Sequence, residues 1–169
     1  MFGRKWRKRI KRKTILLGLA GMIMLTGCST VRETMAQLEM YGSNEKIAQS
    51  GDSYSYKLRE GQADESGASL EFKQFTGVHT LWSADAEREA TVTLDLDVGV
   101  KNGKFKVVHV RPDGEVIKLA DASLGGEPVT IELPEGRSEI KIVGKKAYGH
   151  LEARFSDNET AHFQPVKIQ

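Results

Sequence analysis

An unbroken alternation of apolar and polar residues over positions 90–100 constrains the fold of this chain more than any other feature. The apolar positions are Ala90, Val92, Leu94, Leu96, Val98 and Val100, and the positions between them are Thr91, Thr93, Asp95, Asp97 and Gly99. Successive side chains of a strand point to opposite faces of a sheet, so this segment has one apolar and one polar face. The pattern predicts an antiparallel sheet with one face on a core and the other in water.

Shorter alternating runs, separated by turn residues about every ten positions, fill the chain after residue 53. They begin near Tyr54, Leu70, Val78, Phe105, Glu115, Val129, Ile140 and Leu151. No helical period of useful length competes with them. The sequence therefore predicts an all-β domain over 53–169, an antiparallel β-sandwich of about eight strands. The pattern does not distinguish a jelly-roll from an immunoglobulin-like arrangement.

Glycine and proline residues indicate where these strands should end. Asn102–Gly103 is the strongest hairpin signal in the chain, and Pro112–Gly114 and Pro134–Gly136 are typical of tight turns. We expect further breaks at the acidic segment 60–67, at 83–86 and at Gly144. The segment Phe75–Gly77 interrupts the alternation as a β-bulge or tight bend would.

A short helix is predicted before the sheet. Thr30 and Glu33 fit a capping box, Val31, Met35 and Leu38 share one helical face, and Gly42 offers a stop. The predicted helix spans 31–41, and it could lie on a membrane, dock on the domain or fray as a tether, the reading we favour. Residues 42–52 are rich in Ser, Gly and Asn and are interpreted as a linker.

The first 27 residues have the composition of an export signal. A basic segment at 1–13 precedes an apolar run at 14–25, which is shorter than the roughly 20 residues needed to span a bilayer. The run ends in Leu25, Thr26, Gly27 and Cys28, which resemble the lipobox of bacterial lipoprotein precursors.

That resemblance implies a lipid anchor and a location. In this family a diacylglycerol is attached to the cysteine thiol, and signal peptidase II recognises the three preceding residues and cleaves before the cysteine. By that resemblance 1–27 is the signal peptide, Cys28 carries fatty acyl chains such as palmitate, and 28–52 joins the anchor to the domain. Two acyl chains hold a protein firmly to a bilayer. We expect a protein of the cell membrane that faces the extracytoplasmic side.

Net charge argues against nucleic acid as a partner. The chain has 25 Lys and Arg against 23 Asp and Glu, but eight of the basic residues lie in the first thirteen positions. A chain that begins at Cys28 therefore has 17 basic and 23 acidic residues, a net charge near −6. An acidic domain of this kind does not attract polyanionic nucleic acid.

The sequence contains no motif that assigns an enzymatic activity, a cofactor or a metal. Its single cysteine is used by the lipobox, and it has no nucleophile motif of the Gly-x-Ser-x-Gly or Ser-x-x-Lys type. Its four histidines, none with metal-ligand spacing, are His79, His109, His150 and His162. We interpret His109 as a core or edge residue whose ring nitrogens are satisfied by hydrogen bonds. Asp95 and Asp97 stand about 6.5–7 Å apart on one strand face, and we interpret them as part of a solvated surface.

A second resemblance concerns the predicted domain. The segments Phe75–Trp82, Gly103–Val108, Leu133–Gly136 and Ile140–Gly144 resemble small secreted β-sandwich lipoproteins of Gram-positive bacteria. The resemblance covers about residues 53–156. It implies a fold and a location and carries no activity.

Aromatic and polar residues on one late strand form the candidate binding strip. Tyr148, His150 and Arg154 share a face, and Trp82 could join them, although we favour core packing as the interpretation of Trp82. A flat aromatic ring suits the apolar face of a sugar. We therefore expect a non-enzymatic module that binds a ligand or an envelope glycan. The alternative is a structural or regulatory accessory that contacts another envelope protein through a sheet edge or face.

Overall fold

The computed structural model of the chain describes residues 35–122, 128–157 and 163–166. The predicted signal segment and lipobox, including Cys28, and His162 lie outside the described residues. Helix α1 is described over 35–40, and the elements that follow it are α2 (Asn44–Ala48), β1 (Ser53–Ser55), β2 (Leu58–Ala63), β3 (Gly67–Ala86), β4 (Ala90–Val110), β5 (Val116–Asp121), β6 (Val129–Leu133), β7 (Gly136–Asp157) and β8 (Gln164–Pro165). Within the described segments no helix is long and apolar enough to cross a membrane.

Three long antiparallel strands form the middle of the sheet. The strand order is β1-β3-β7-β4-β5, with β2 and β8 also paired to β3 and β6 also paired to β4. Strands β3, β4 and β7 have 20, 21 and 22 residues, several times the five or six of a common strand. Strands of this length must bend if they are to enclose a core.

The three long strands bend at the same level. The register of β3 shifts between Phe72 and Gly77, and that of β4 shifts between Val100 and Lys104. Gln74, Gly77, Gly103 and Lys146 have φ values of 52, 107, 81 and 51°. Extra residues of this kind bend a strand and increase its twist, which lets it pass from one layer of a sandwich to the other. The predicted antiparallel β-sandwich is confirmed.

Each layer contains half of every long strand. Layer 1 consists of β2, the first half of β3, the second half of β7, the first half of β4, and β6. Layer 2 consists of β1, β8, the second half of β3, the first half of β7, the second half of β4, and β5.

Aromatic rings from both layers meet in one core. Phe72 of layer 1 stacks on Phe105 of layer 2 with ring centroids 4.7 Å apart, and Trp82 meets Phe155 edge-on at 5.1 Å. All four belong to the same buried cluster. Each such ring contributes on the order of 1.5–3 kcal/mol by leaving water, so these contacts hold the two layers together.

Two of the predicted strand breaks, at Asn102–Gly103 and at Gly144, are wrong because a strand continues through them. Strand β4 passes through Asn102–Gly103, where Gly103 uses its positive φ in a bulge instead of a hairpin. Strand β7 continues through Gly144. Two other breaks occur but differ in extent: β3 ends at Ala86, so the turn predicted at 83–86 falls at 87–89, and the turn predicted at 60–67 is confined to 64–66, between β2 and β3. The run from Tyr54 to Leu58 is also divided between β1 and β2.

The other three break signals are confirmed. Phe75–Gly77 forms the predicted bulge. Pro112–Gly114 turns the chain between β4 and β5, where the Gly114 amide donates to the Arg111 carbonyl at 2.9 Å. Pro134 and Glu135 separate β6 from β7.

The helical segment covers the outer face of layer 2. Ile47 of α2 is completely buried against Val78, Val108 and Val143, and Met40 and Tyr41 pack on the same cluster. The compact unit that contains the sheet begins at Met35. The described part of the first helix is therefore docked on the domain and is not a frayed tether.

Residues 42–52 are likewise part of the fold and not a free linker. The Asp52 carboxylate accepts hydrogen bonds from the amide and the hydroxyl of Thr80 at 3.0 and 2.6 Å. The ammonium group of Lys141, a side chain with no exposed area, donates to the Gln49 carbonyl at 2.9 Å and pairs with Glu139 at 3.0 Å. These bonds satisfy polar groups that would otherwise be costly to bury, so they fix the segment in place.

Candidate functional site

The outer face of layer 1 carries a continuous polar surface, which we call the open face. It consists of the outward side chains of β3, β7 and β4, namely Ser69, Glu71, Asp95, Asp97, His150, Glu152 and Arg154. The same alternation that buries Leu94, Leu96 and Leu151 in the core places these residues outside.

Strand register brings charged side chains together on this face, one cross-strand pair of opposite sign and one of like sign. Arg154 of β7 lies directly across from Asp95 of β4, and Glu152 lies across from Asp97. The Ser69 hydroxyl donates to the Glu152 carboxylate at 2.6 Å, which links β3 to the same row. The result is a row of carboxylates with a guanidinium group at one end.

A shallow depression of about 260 Å³ lies in the middle of the open face. It is lined by the side chains of Asp95, Asp97, Glu152 and Arg154 and by Leu96 and Ala153. Ionised groups of this kind form strong, charge-assisted hydrogen bonds with hydroxyl and amide groups. The depression can therefore hold a polar ligand against the sheet by hydrogen bonds.

His150 lies at the edge of this row, and its ring packs on the backbone of Gly99. Its Nε2 atom is 3.9 Å from the Asp97 carboxylate, with 42% of the His150 side chain and 67% of the Asp97 side chain exposed. The imidazole occupies the space where a Cβ on Gly99 would be. A glycine at position 99 thus lets the ring lie flat on β4.

Only two of the four residues of the predicted binding strip lie on the open face. His150 and Arg154 point outward from β7 as expected, while Tyr148 is half-buried beside the bend, across from Asn102. Trp82 has no exposed area, and its indole Nε1 donates to the Asp64 carbonyl at 2.7 Å. A ligand cannot stack on an indole in this position, which removes Trp82 from the strip.

A register shift explains the position of Trp82. Alternation places Val78, Thr80 and Trp82 on one face, but the pairing of β3 with β7 is irregular between Thr80 and Trp82. Val78 consequently faces the helical segment, whereas Trp82 faces the core between the layers.

His79 and His109 belong to the interior and not to the open face. His79 is stacked on Tyr54 with ring centroids 4.3 Å apart, and its Nδ1 atom is hydrogen-bonded to the Tyr56 hydroxyl at 2.8 Å. Burial lowers the pKa of His79 to about 4 and that of His109 to about 4. The expectation that His109 is a core residue is confirmed, whereas the expectation that its ring is satisfied is wrong for Nε2, which has no hydrogen-bond partner among the described residues.

The described residues contain no group of three His, Cys, Asp or Glu side chains able to hold a metal ion. Asp95 and Asp97 share the outer face of β4, as their spacing predicts, and both line the depression. The carboxylates there stand beside solvent, so the site does not exclude water in the way an enclosed catalytic cleft does.

Sequence reasoning missed a second polar surface at the bend of the long strands. Six exposed lysines lie there, and we call them the lysine bend: Lys57, Lys73, Lys101, Lys104, Lys145 and Lys146. The available signal was that lysines flank Asn102–Gly103 and follow Gly144 directly, at the segments where the structure bends.

The strand pairing and core define the class of this protein, an antiparallel β-sandwich, and comparison with known proteins adds nothing to it. No family model matches the chain, and no curated relative matches it. Among solved structures, a family 35 carbohydrate-binding module from an environmental isolate is similar over 72% of this chain and 85% of its own, with 18% sequence identity and a TM-score of 0.31. A likeness of this size assigns neither a ligand nor a residue role to this chain.

Proposed function

We propose that this chain is a bacterial lipoprotein, held at the extracytoplasmic face of the cell membrane by an acylated Cys28, whose β-sandwich is a non-enzymatic binding module. The binding role is supported by a difference between the two outer faces of the sandwich, of which only one is covered by other described residues. The helical segment covers the outer face of layer 2 through Ile47 and Tyr41. The open face of layer 1 has no such cover among the described residues and contains the depression between Asp95 and Arg154.

The chemistry of the open face favours a ligand with many hydroxyl groups, such as a glycan of the cell envelope. Sugar hydroxyls donate to the carboxylates of Asp95, Asp97 and Glu152, and they accept from the guanidinium group of Arg154. Because the depression is shallow and its carboxylates face solvent, we assign it binding and no catalysis.

The binding role is tested with isolated envelope glycan and the mature chain that begins at residue 28. We expect the wild-type chain to co-sediment with the glycan and Arg154→Ala to bind roughly 10-fold or more weakly, because a hydrogen bond to a charged group is worth about 1.5–3 kcal/mol. Arg88→Ala, in the exposed turn between β3 and β4, is the matched control and should bind like the wild type. Equal binding by Arg154→Ala and the wild type would remove the open face as the site.

The lipid anchor has an independent test. Metabolic labelling with a fatty-acid precursor should mark the wild-type chain and leave Cys28→Ala unlabelled, since only the thiol accepts the diacylglycerol. The variant should also leave the membrane fraction. Unchanged mass and membrane retention in Cys28→Ala would contradict the anchor.

An accessory role remains the second candidate because the sandwich has edge strands with a single partner. Among the described residues, β5 and β6 pair only with β4, and Ile117 on β5 is one of the exposed large apolar residues. Edge strands with free amide and carbonyl groups can bind a further strand from another protein. Crosslinking in intact membranes followed by capture would recover a defined envelope protein in this case, and glycan material in the first.

A further inference from the structure

The lysine bend is a concentrated positive patch on a chain whose mature part is negative. Segments 72–77, 100–106 and 143–148, which carry five of its six lysines, contain no Asp or Glu. The mature chain as a whole has 17 basic and 23 acidic residues, so the cluster does not follow from composition.

The fold assembles this patch from separate parts of the chain. Lys104 of β4 and Lys145 of β7 are direct partners across the antiparallel ladder, and the backbone of Lys146 lies against Gly103. On the other side of β7, Lys73 enters the bulge of β3, and its carbonyl accepts from the Lys57 amide at 2.9 Å. The bends of three neighbouring strands thus present their lysines at one corner of the sandwich.

These six ammonium groups have no carboxylate partner among the described residues. The lysines that do form ion pairs are Lys46, Lys118 and Lys141, which lie elsewhere. Like charges at this density repel one another, and a polyanionic surface relieves that repulsion. The patch is therefore suited to an extended negative partner.

The start of the described chain lies at the same corner. Gln37 of α1 is hydrogen-bonded to Ser53 and Ser55 of β1 at 3.5 and 3.1 Å. Strand β1 in turn pairs with β3 at Thr76, and the Thr76 hydroxyl accepts from the Lys146 amide at 3.1 Å. The Lys104 ammonium is 6.0 Å from the centre of the Tyr41 ring, just after α1.

Only a short chain separates this corner from the proposed anchor. From Cys28 to Met35 there are seven residues, which span at most about 25 Å when fully extended. If Cys28 is anchored, the corner of the domain next to α1 cannot move far from the membrane surface. The lysines closest to α1 are then held within reach of the headgroups.

We propose that the lysine bend rests on the anionic phospholipid headgroups of the membrane that holds Cys28. The inference rests on the proposed lipid anchor for its geometry, and its partner is the lipid surface and not a soluble polyanion. Each lysine near such a surface strengthens association about fivefold. The acidic open face is repelled by the same surface, so electrostatics favour an orientation in which the lysines, and not the open face, meet the headgroups.

The direct test uses the mature chain from residue 28 with Cys28→Ser, so that no acyl chain contributes. Its partition onto vesicles of phosphatidylcholine with 30% phosphatidylglycerol is measured by co-sedimentation, against vesicles of phosphatidylcholine alone. We expect binding to the anionic vesicles only, and Lys101→Gln combined with Lys145→Gln should weaken it on the order of 25-fold. High salt should abolish it because the attraction is screened.

A charge-matched control separates the lysine bend from net charge. Arg88→Gln combined with Arg137→Gln removes two exposed positive charges at the opposite end of the sandwich, near the turns that flank β3 and β7. This variant should retain most of the binding. Equal losses in the two double variants would overturn the proposal, because binding would then depend on total charge alone.

The remaining outcomes distinguish the partner and the anchor. Binding of inorganic polyphosphate that depends on Lys101 and Lys145, without binding to anionic vesicles, would overturn the lipid assignment in favour of a soluble or wall polyanion. No binding to either would overturn the patch as an anionic docking surface. Because the chain in this assay carries no acyl group, a failure here leaves the labelling result for Cys28→Ala unaffected, and the two proposals fail separately.

Discussion

Lowering the pH from 7 to 5 should destabilise this domain through two buried histidines, His79 and His109. Burial holds the pKa of each at about 4, whereas an exposed histidine has a pKa of 6.5. Between these values the unfolded chain binds a proton at each position and the folded chain does not. The contribution of the neutral rings to the free energy of unfolding is fully present above pH 6.5. It decreases as the pH falls from 6.5 to 4 and does not decrease further below pH 4.

The magnitude follows from the two pKa values. At pH 5 each histidine should reduce the free energy of unfolding by about 2 kcal/mol relative to pH 7, or about 4 kcal/mol for both. Typical domains have roughly 5–15 kcal/mol in total, so the change is large. The groups with lowered carboxyl pKa, Glu39 and Asp64, begin from ordinary values of 4.5 and 3.8 and act at lower pH.

Urea unfolding of the mature chain, followed by tryptophan fluorescence at pH 7, 6 and 5, measures this change. Trp82 is the only tryptophan after Cys28 and is fully buried, so its emission reports the core. With an m-value of about 2 kcal/mol/M, the midpoint should fall by about 2 M between pH 7 and 5.

Two substitutions test whether the histidines are the cause. His109→Leu should remove about half of the pH dependence at little cost at pH 7, because the Nε2 atom of His109 has no partner to lose. Combining it with His79→Gln should remove most of the rest. The reasoning is refuted if the double variant still loses as much stability between pH 7 and 5 as the wild type does.

Two further predictions concern the features that position the faces of the sandwich. Lys141→Met should lower the free energy of unfolding by about 2 kcal/mol and speed hydrogen exchange in residues 42–52, because the Gln49 carbonyl loses its charged donor. Lys118→Met removes an exposed ion pair and should change neither quantity. Unchanged exchange in Lys141→Met would contradict the role of this bond. Gly77→Ala should cost at least about 2 kcal/mol, since its φ is 107° and a Cβ would strike the Ser53 carbonyl. Gly42→Ala, where a Cβ meets nothing within 4 Å, is the control for calorimetric melting, and equal melting temperatures in both variants would contradict this account.

The open face shows which features of the candidate site can be predicted from local sequence patterns. Alternation in β4 and β7 predicted that Asp95, Asp97, His150 and Arg154 point outward, because the two-residue period of a strand is set by its own backbone. Their pairing, Arg154 opposite Asp95, depends on the register between β4 and β7. Their role in binding stays a prediction.

The Asn102–Gly103 pair shows where local reasoning stops. The sequence correctly indicates a positive φ at Gly103, and both a tight hairpin and a bulge satisfy that requirement. Strand β7 pairs with β4 on both sides of the bulge, and that long-range pairing keeps β4 continuous. The same kind of irregularity, between Thr80 and Trp82, places the indole in the core, the position that local alternation left undecided against the binding strip.

The sequence by itself determined the antiparallel β-sandwich and the polar face of its longest alternating run, because periodicity and turn residues act over a few positions. Only the tertiary structure decided that three strands are shared between both layers, that residues 35–52 cover one outer face, and that six lysines meet at the bend. These features join residues far apart in the chain, such as Gln49 with Lys141 and Lys104 with Lys145. Their positions follow from strand register and core packing, which no local pattern encodes.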